Sequence, residues 1–332
     1  MRPERPLVSI GLPLYNAERY LRDCLESLLA QDYPNFEVVI SDNASTDATQ
    51  RICEEYTSRH PNLRYERAAE NMGAIWNFRH VFELAHGQYF MWAAYDDLRA
   101  PTCVSACVAR LEAEPLATLC VTDCEVIDED GNRLDAYADV LHAAGESVRD
   151  RVRKMATAKV MFDVYGLARS AALRQTRGLQ PVWGADLIQV FELCLRGPVL
   201  LVPEPLFTYR LMTGKSQQDM AVGLGGTGRG PRIPVCWTCL TLELLRSIWL
   251  APVAPIQKPV LSAVLIYRFV IVNLAVQAGV RNDIGATIKH SFRHAGIGRL
   301  AVLLMLAALV YPLHNRLTRA VYRLGRRLTS GL

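Results

Sequence analysis

The chain has 332 residues, 51% of them hydrophobic and 21% charged. That balance excludes a disordered chain, which needs low hydrophobicity and high net charge. Its 21 Gly and 17 Pro exclude a collagen-like or low-complexity fibre. The net charge of +4 is too small to argue for a nucleic-acid partner, but it is unevenly placed. Residues 281–332 carry nine Lys/Arg and one acid, so residues 1–280 sum to −4. A mildly acidic body with a basic tail points to an anionic surface as partner.

In chain order, residues 7–14 are an apolar run that suits a buried first strand. Residues 20–31 follow with Leu21, Leu25, Leu28 and Leu29 at helical spacing. Phe36–Ser41 reads as a strand, 46–60 as a helix and Leu63–Arg67 as a short third strand. The helical stretch 74–85 is stopped by Gly87. Residues 88–94 form a strand that ends at Tyr95-Asp96-Asp97. Pro101 opens a helix running to Glu114, and 119–126 is a further strand. Residues 128–150 read as a polar connection, 185–196 as an amphipathic helix, and 199–203 and 206–211 as short strands.

Strand and helix alternate four times in about 120 residues, which predicts an α/β fold with a mostly parallel, doubly wound sheet. Ligands of such sheets sit outside the carboxyl ends of the strands. Asn16, Asp42 with Asn43, and Asp96 with Asp97 all follow strand ends, so three strands deliver polar groups to one edge. The composition divides the chain into an α/β domain over 1–218, a Gly/Pro-rich loop over 219–234, and a helical, apolar and basic region over 235–332.

Nine irregularly spaced Cys do not suit a secreted disulfide scaffold, and they read as buried small apolar residues in a reducing cytosol. Cys103 and Cys107 share a helix face but make a poor zinc site without further ligands. Cys236 and Cys239 have CxxC spacing but no βαβ context. The N-terminus has no apolar signal core, so export is not expected. His80 and His86 read as surface residues without a role.

Two adjacent carboxylates at a strand end repel each other unless neutralised. A hard divalent cation, Mg²⁺ or Mn²⁺, does this with oxygen ligands and phosphate company. The structural alternative is a pair of acids placed just before a helix N-terminus.

The segments PLVSIGLPLYN (6–16), VVISDNASTD (38–47), NMGAIWN (71–77) and Asp96-Asp97 together resemble family 2 glycosyltransferases. The resemblance covers about residues 6–216 and implies a GT-A type, Rossmann-like sheet flanked by helices. It also implies inverting transfer of a sugar from a nucleotide-diphosphate donor with Mg²⁺ or Mn²⁺. Carried over by position, Pro13, Tyr15 and Asn16 fall on a nucleotide-contacting loop. Asp42 falls where the family's acid meets the base, usually uracil. Asn71 and Gly73 fall on a donor-lining segment. Asp96 would face ribose or sugar, and Asp97 would ligate the metal. Tyr95 stands where many members have another Asp, which makes this a two-acid version.

An inverting transfer needs a base for the acceptor hydroxyl and charge stabilisation on the departing diphosphate. The segment 183–187 resembles the family's acceptor motif, which makes Asp186 the base; the alternative is a first-turn helix acid. Trp183 suits either stacking on an acceptor sugar or a place in the core. Arg210 and Lys215 suit the diphosphate as cations, or are solvated loop charges. Leu211 and Met212 stand where the family often has a His, so a His ligand is not expected.

Residues 300–313 are apolar but shorter than the roughly 20 residues a span needs, and 260–280 carries Arg268, Asn273 and Gln277. Arg316, Arg319 and Arg323 fall on one helical face, which suits an anionic bilayer surface. The expectation is a peripheral or monotopic protein on the cytoplasmic leaflet, acting on a glycan or lipid-linked acceptor. Packing of these helices on the catalytic domain or a second subunit is the alternative. A sugar-nucleotide nucleotidyltransferase is disfavoured because the loop after the first strand lacks glycine. The loop after the first strand also lacks the GxGxxG dinucleotide fingerprint, and no GxxxxGK(S/T) P-loop occurs in the chain. The remaining rival is a donor-binding scaffold without turnover in a membrane biosynthetic complex.

Overall fold

The computed structural model describes residues 5–134, 147–156, 162–212 and 237–272. Its centre is one eight-stranded sheet in the order β3-β2-β1-β4-β7-β6-β8-β5. The strands are β1 (Val8–Leu14), β2 (Phe36–Asp42), β3 (Leu63–Arg67), β4 (Tyr89–Trp92), β5 (Leu98–Arg99), β6 (Leu119–Ile127), β7 (Leu167–Arg169) and β8 (Val199–Arg210). β3, β2, β1 and β4 run parallel, as the βα alternation requires. The short β7 is inserted antiparallel to β4 and β6, β8 is parallel to β6, and β5 is antiparallel to β8.

Every residue of β1 is buried, as expected of a strand covered on both faces. Helices α1 (Leu21–Leu29), α2 (Thr49–Thr57) and α4 (Cys103–Ala113) supply Leu21, Leu25, Leu28, Ile52, Val104 and Leu111 to one core cluster. The opposite cluster is fed by α3 (Ala74–Glu83), α5 (Val148–Met155), α6 (Ser170–Arg174) and α7 (Ala185–Arg196).

Two further helices, α8 (Trp237–Leu250) and α9 (Gln257–Leu265), lie beyond the sheet, and α9 continues as a π-helical stretch, Ile266–Val272. Leu240, Leu244, Ile248, Leu261, Leu265 and Phe269 belong to the same cluster as Trp92 and Phe191. These helices therefore share a core with the sheet. Arg177 ties them further: its Nε meets Glu192 Oε1 of α7 at 2.5 Å, its Nη1 pairs with Glu243 of α8, and Nη2 donates to Ser247 Oγ at 2.8 Å. Among the described residues no helix is long and apolar enough to cross a membrane.

The expected elements recur with shifted ends, and Leu63–Arg67 and 185–196 match the expected bounds. The two strands expected over 199–211 are one bulged strand, β8, whose register against β6 shifts around Asp123. The two-residue β5 and the three-residue β7 carry no periodicity that a sequence reading can detect. Six Cys are buried, Cys124 is half-buried and Cys239 is exposed. Cys236, Lys215 and the segments 219–234 and 300–332 lie outside the described residues.

Candidate active site

The carboxyl edge of β1, β2 and β4 is built from a strap of polar side chains. Asn16, in the left-handed region at φ 50°, donates its N–H to Ser45 Oγ at 3.0 Å, and its Oδ1 accepts from Thr46 N at 2.8 Å. Ala17 N donates to Thr49 Oγ1 at 2.7 Å, and Glu18 N donates to Asp47 Oδ2 at 3.1 Å. The loops after β1 and β2 are thereby fixed as one surface. Pro13 is buried inside β1, Tyr15 is half-buried and Asn16 is exposed.

Asp42 is fully buried. Its Oδ1 accepts from Ser45 N at 2.9 Å and Ser45 Oγ at 2.5 Å. Its Oδ2 accepts from Tyr65 Oη at 2.8 Å and faces Arg67 Nε at 3.3 Å. A carboxylate has about four acceptor sites, and these are occupied by Ser45 of its own loop and by Tyr65 and Arg67 of β3. Asp42 therefore shapes the loop edge rather than facing out of it. Burial first, and then the hydrogen bond to Asp42, push the Tyr65 hydroxyl well above its ordinary range, so it stays a proton donor.

Asn71 and Gly73 sit on the next segment. Asn71 Oδ1 accepts from Asn43 Nδ2 and from Gly73 N, both at 2.9 Å. Gly73 has φ 90° and ψ 157°, a conformation essentially confined to glycine. It starts α3, whose Asn77 donates to Leu14 O at 3.0 Å and accepts from Ser41 Oγ at 2.5 Å, linking β1, β2 and α3.

Asp96 and Asp97 lie in the turn between β4 and β5. Asp96 is half-buried and Asp97 is 4% exposed. Asp97 Oδ1 accepts from Arg210 N at 2.9 Å, while its buried Oδ2 has no hydrogen-bond partner among the described residues. Desolvation first, then the neighbouring Asp96 charge, push Asp97 up to about 8. An orphaned, buried carboxylate oxygen beside a second acid is the arrangement a hard cation would relieve. Among the described residues no group of three or more His, Cys, Asp or Glu converges on one point. A cation held here would leave room for phosphate and water oxygens beside the two acids, as Mg²⁺ does in nucleotide sites.

Arg210 ends β8 and is 6% exposed. Its Nε donates to Asp96 O at 3.0 Å and its Nη1 to Asp128 O at 3.2 Å and Glu129 O at 3.4 Å. Its guanidinium lies 4.4 Å over the Tyr20 ring. The expected diphosphate cation is therefore engaged with backbone carbonyls, where it clamps the acidic turn to the 128–129 turn.

Asp186 is in the first turn of α7, half-buried, with Oδ1 accepting from its own Leu187 N at 2.8 Å. Burial raises it above the ordinary carboxylate range. The residue before α7, Gly184, has φ 80°, and a Cβ there would stand 3.0 Å from Leu240 of α8. Trp183 packs edge-on against Trp237 with ring centroids 4.4 Å apart, so it is tied into the α8 packing. The Tyr165 and Tyr209 hydroxyls feel the charges of both parts of the site. Both are raised by burial first, then by Asp97, Asp96 and, more weakly, Asp186, with Tyr209 reaching about 12. They stand within electrostatic range of the acidic turn and of Asp186 alike.

Ser45, Thr46, Tyr65, Arg67 and Asn77 were not singled out as site residues. For Ser45 and Thr46 a signal is present in the polar run Asn43–Asp47, and for Asn77 in the segment 71–77. Tyr65 and Arg67 carried none, because pairing with Asp42 depends on the β2–β3 register.

This sheet order, with an acidic turn at the carboxyl edge, defines a GT-A type α/β protein. The chain belongs to Glycosyl transferase family 2, whose family model matches residues 9–174, half of its length. An uncharacterized protein of Mycobacterium tuberculosis is 40% identical over 129 residues, which is 38% of this chain and 36% of that one. The chain thus spans about a third of the length of the mycobacterial relatives it matches. Chondroitin synthase of Escherichia coli is 36% identical over 129 residues, 38% of this chain and 18% of that one. In structure, TarS 1–349 of S. aureus in complex with UDP superposes with TM-score 0.59 at 17% identity, covering 79% of this chain and 71% of that one. The mannosyltransferase PcManGT of Pyrobaculum calidifontis, in complex with GDP-Man and Mn²⁺, gives TM-score 0.54 at 16% identity, covering 99% and 89%. At these identities the two structures speak for the fold.

Proposed function

We propose that the chain is an inverting glycosyltransferase that moves a sugar from a nucleotide-diphosphate donor to an acceptor hydroxyl, with Asp186 as the base. The observation that carries this reading is the Asp97 carboxylate, buried with one oxygen unpartnered beside Asp96 at the carboxyl edge of the sheet. Asp96 and Asp97 would hold Mg²⁺ or Mn²⁺, which when bound neutralises charge on the departing diphosphate. Asp96, with its partly exposed side chain, faces the ribose or donor sugar.

The donor base lies on the strap formed by Tyr15, Asn16 and the 43–46 loop, with Asn71 and Gly73 lining the far side. Pro13 and Asp42 serve the donor by holding that strap in shape. A uridine donor is the first choice, and the named complexes of TarS with UDP and of PcManGT with GDP-Man make UDP- and GDP-sugars the two to test. Burial raises Asp186 above the ordinary carboxylate range, which favours its taking the acceptor proton as the hydroxyl attacks. Arg210 positions the acidic turn.

The acceptor is a glycan, most simply one linked to a lipid, presented at the anionic inner face of a membrane. The basic stretch 281–332 supports this setting, with nine Lys/Arg against one acid. The test is donor turnover with purified protein. Slow hydrolysis of one UDP- or GDP-sugar that requires Mn²⁺ and is abolished in Asp97→Asn supports the enzyme. Tight donor binding without hydrolysis or transfer to any acceptor would instead make the chain a binding scaffold.

A further inference from the structure

The inner faces of α8 and α9 are fixed in the main core by Leu240, Leu244, Ile248, Leu261 and Leu265. Their outer faces carry a second apolar stripe that stands exposed among the described residues. On α8, Leu242 and Trp249 are two turns apart and 45% and 56% exposed, and Leu250 is 58% exposed. Across the connecting turn, Ile256, Val260 and Tyr267 continue at helical spacing, 83%, 48% and 37% exposed. Single exposed apolar residues are ordinary, but a stripe along two adjacent helices is a contact surface.

Charge selects the occupant. Residues 244–282 contain no acid, while Arg246, Lys258 and Arg268 lie along the two helices. The one acid on α8, Glu243, is turned inward to Arg177 and also meets Arg246. Lys258 folds its ammonium onto Trp249 O at 2.7 Å, at the edge of the apolar stripe. A second copy of this face would bring cations against cations. An anionic bilayer satisfies both components, with Trp249 at the headgroup level and flanking Arg/Lys on phosphate.

We propose that the outer face of α8–α9 is a membrane-contact face for an anionic phospholipid bilayer, on which the helices lie without spanning it. This rests on the reading of a membrane-borne acceptor. The face also has a route to the site: Trp237 and Leu240 at the start of α8 pack on Trp183 and Gly184, just before Asp186. Membrane contact along α8 thereby sets the orientation of the acceptor edge.

The test uses the full chain and vesicles of phosphatidylcholine alone or with phosphatidylglycerol. The expected result is co-flotation with the anionic vesicles and quenching of Trp fluorescence by brominated lipid, with most of the quenching lost in Trp249→Phe. The variant Trp249→Glu/Ile256→Glu/Val260→Glu should lower partition at least tenfold, with the melting temperature and Mn²⁺-dependent donor hydrolysis unchanged. Unchanged partition, or quenching that persists in Trp249→Phe, would overturn the proposal. So would a triple variant that changes oligomeric state in the absence of lipid. Donor hydrolysis is read separately, so a failure of this face and a failure of the transferase reading give different results.

Discussion

Asp97 sets the pH behaviour expected of the site. Its ordinary value is 3.8 and burial with Asp96 pushes it up to about 8. Below pH 4 the carboxyl is protonated in both folded and unfolded chains. Between about pH 4 and 8 the unfolded chain ionises it and the folded one does not, so the folded state loses stability as pH rises through that window. Without added metal, Asp97→Asn should flatten the fall in melting temperature between pH 5 and 8. A cation selects the ionised carboxylate, so the thermal shift given by Mn²⁺ should grow towards pH 8 in the native protein and vanish in the variant. A full Mn²⁺ shift in Asp97→Asn would remove the residue from the cation site. For Asp186, Asp186→Asn should lower transfer by about 10²–10⁴-fold, the usual worth of a general base, while donor affinity measured calorimetrically is unchanged. Arg210→Ala strips donors from three backbone carbonyls. A loss of about 1–3 kcal/mol in urea unfolding, with weakened Mn²⁺ binding, is the expected signature of a clamp.

At the scale of elements, the acceptor edge depends on how α7 begins. Gly184 takes φ 80°, which costs an L side chain about 1–2 kcal/mol, and its missing Cβ leaves room for Leu240. Gly184→Ala should therefore destabilise the fold by about that amount and lower kcat more than it raises the donor KM, because Asp186 moves while the nucleotide strap does not. Steady-state kinetics with varied donor would separate the two. Equal effects on both parameters would mean that α7 and the strap move together. The strap itself is rigid for a different reason. Its loops are cross-bonded by Asn16, Ser45, Thr46, Asp47 and Thr49, so it is formed before any ligand arrives.

In the molecule as a whole, α8 and α9 unite with the sheet. Glu192 is almost fully buried and meets Arg177, which also holds Glu243 and Ser247 of α8. Removing one partner of such a pair leaves an uncompensated charge, so Arg177→Ala should cost about 3–5 kcal/mol. The shared core predicts one unfolding transition, with Trp fluorescence and far-UV circular dichroism coincident in denaturant. Two separated transitions would make α8–α9 an independent unit.

The sequence by itself determined the strand–helix alternation, the helix over 185–196, and the acidic turn after β4. Each is written in local periodicity or in a short polar run at a strand end, which neighbouring residues alone can encode. Tertiary structure decided how the polar residues are used. Asp42 and Arg210 have the right chemistry for base and diphosphate, yet the Asp42 oxygens are taken up by Ser45, Tyr65 and Arg67, and the Nε and Nη1 of Arg210 are turned to carbonyls of residues 96, 128 and 129. Those partners lie up to 114 residues away in the chain. Whether a polar group faces a ligand or its own fold depends on which distant groups reach it first, and only the packed chain brings them together.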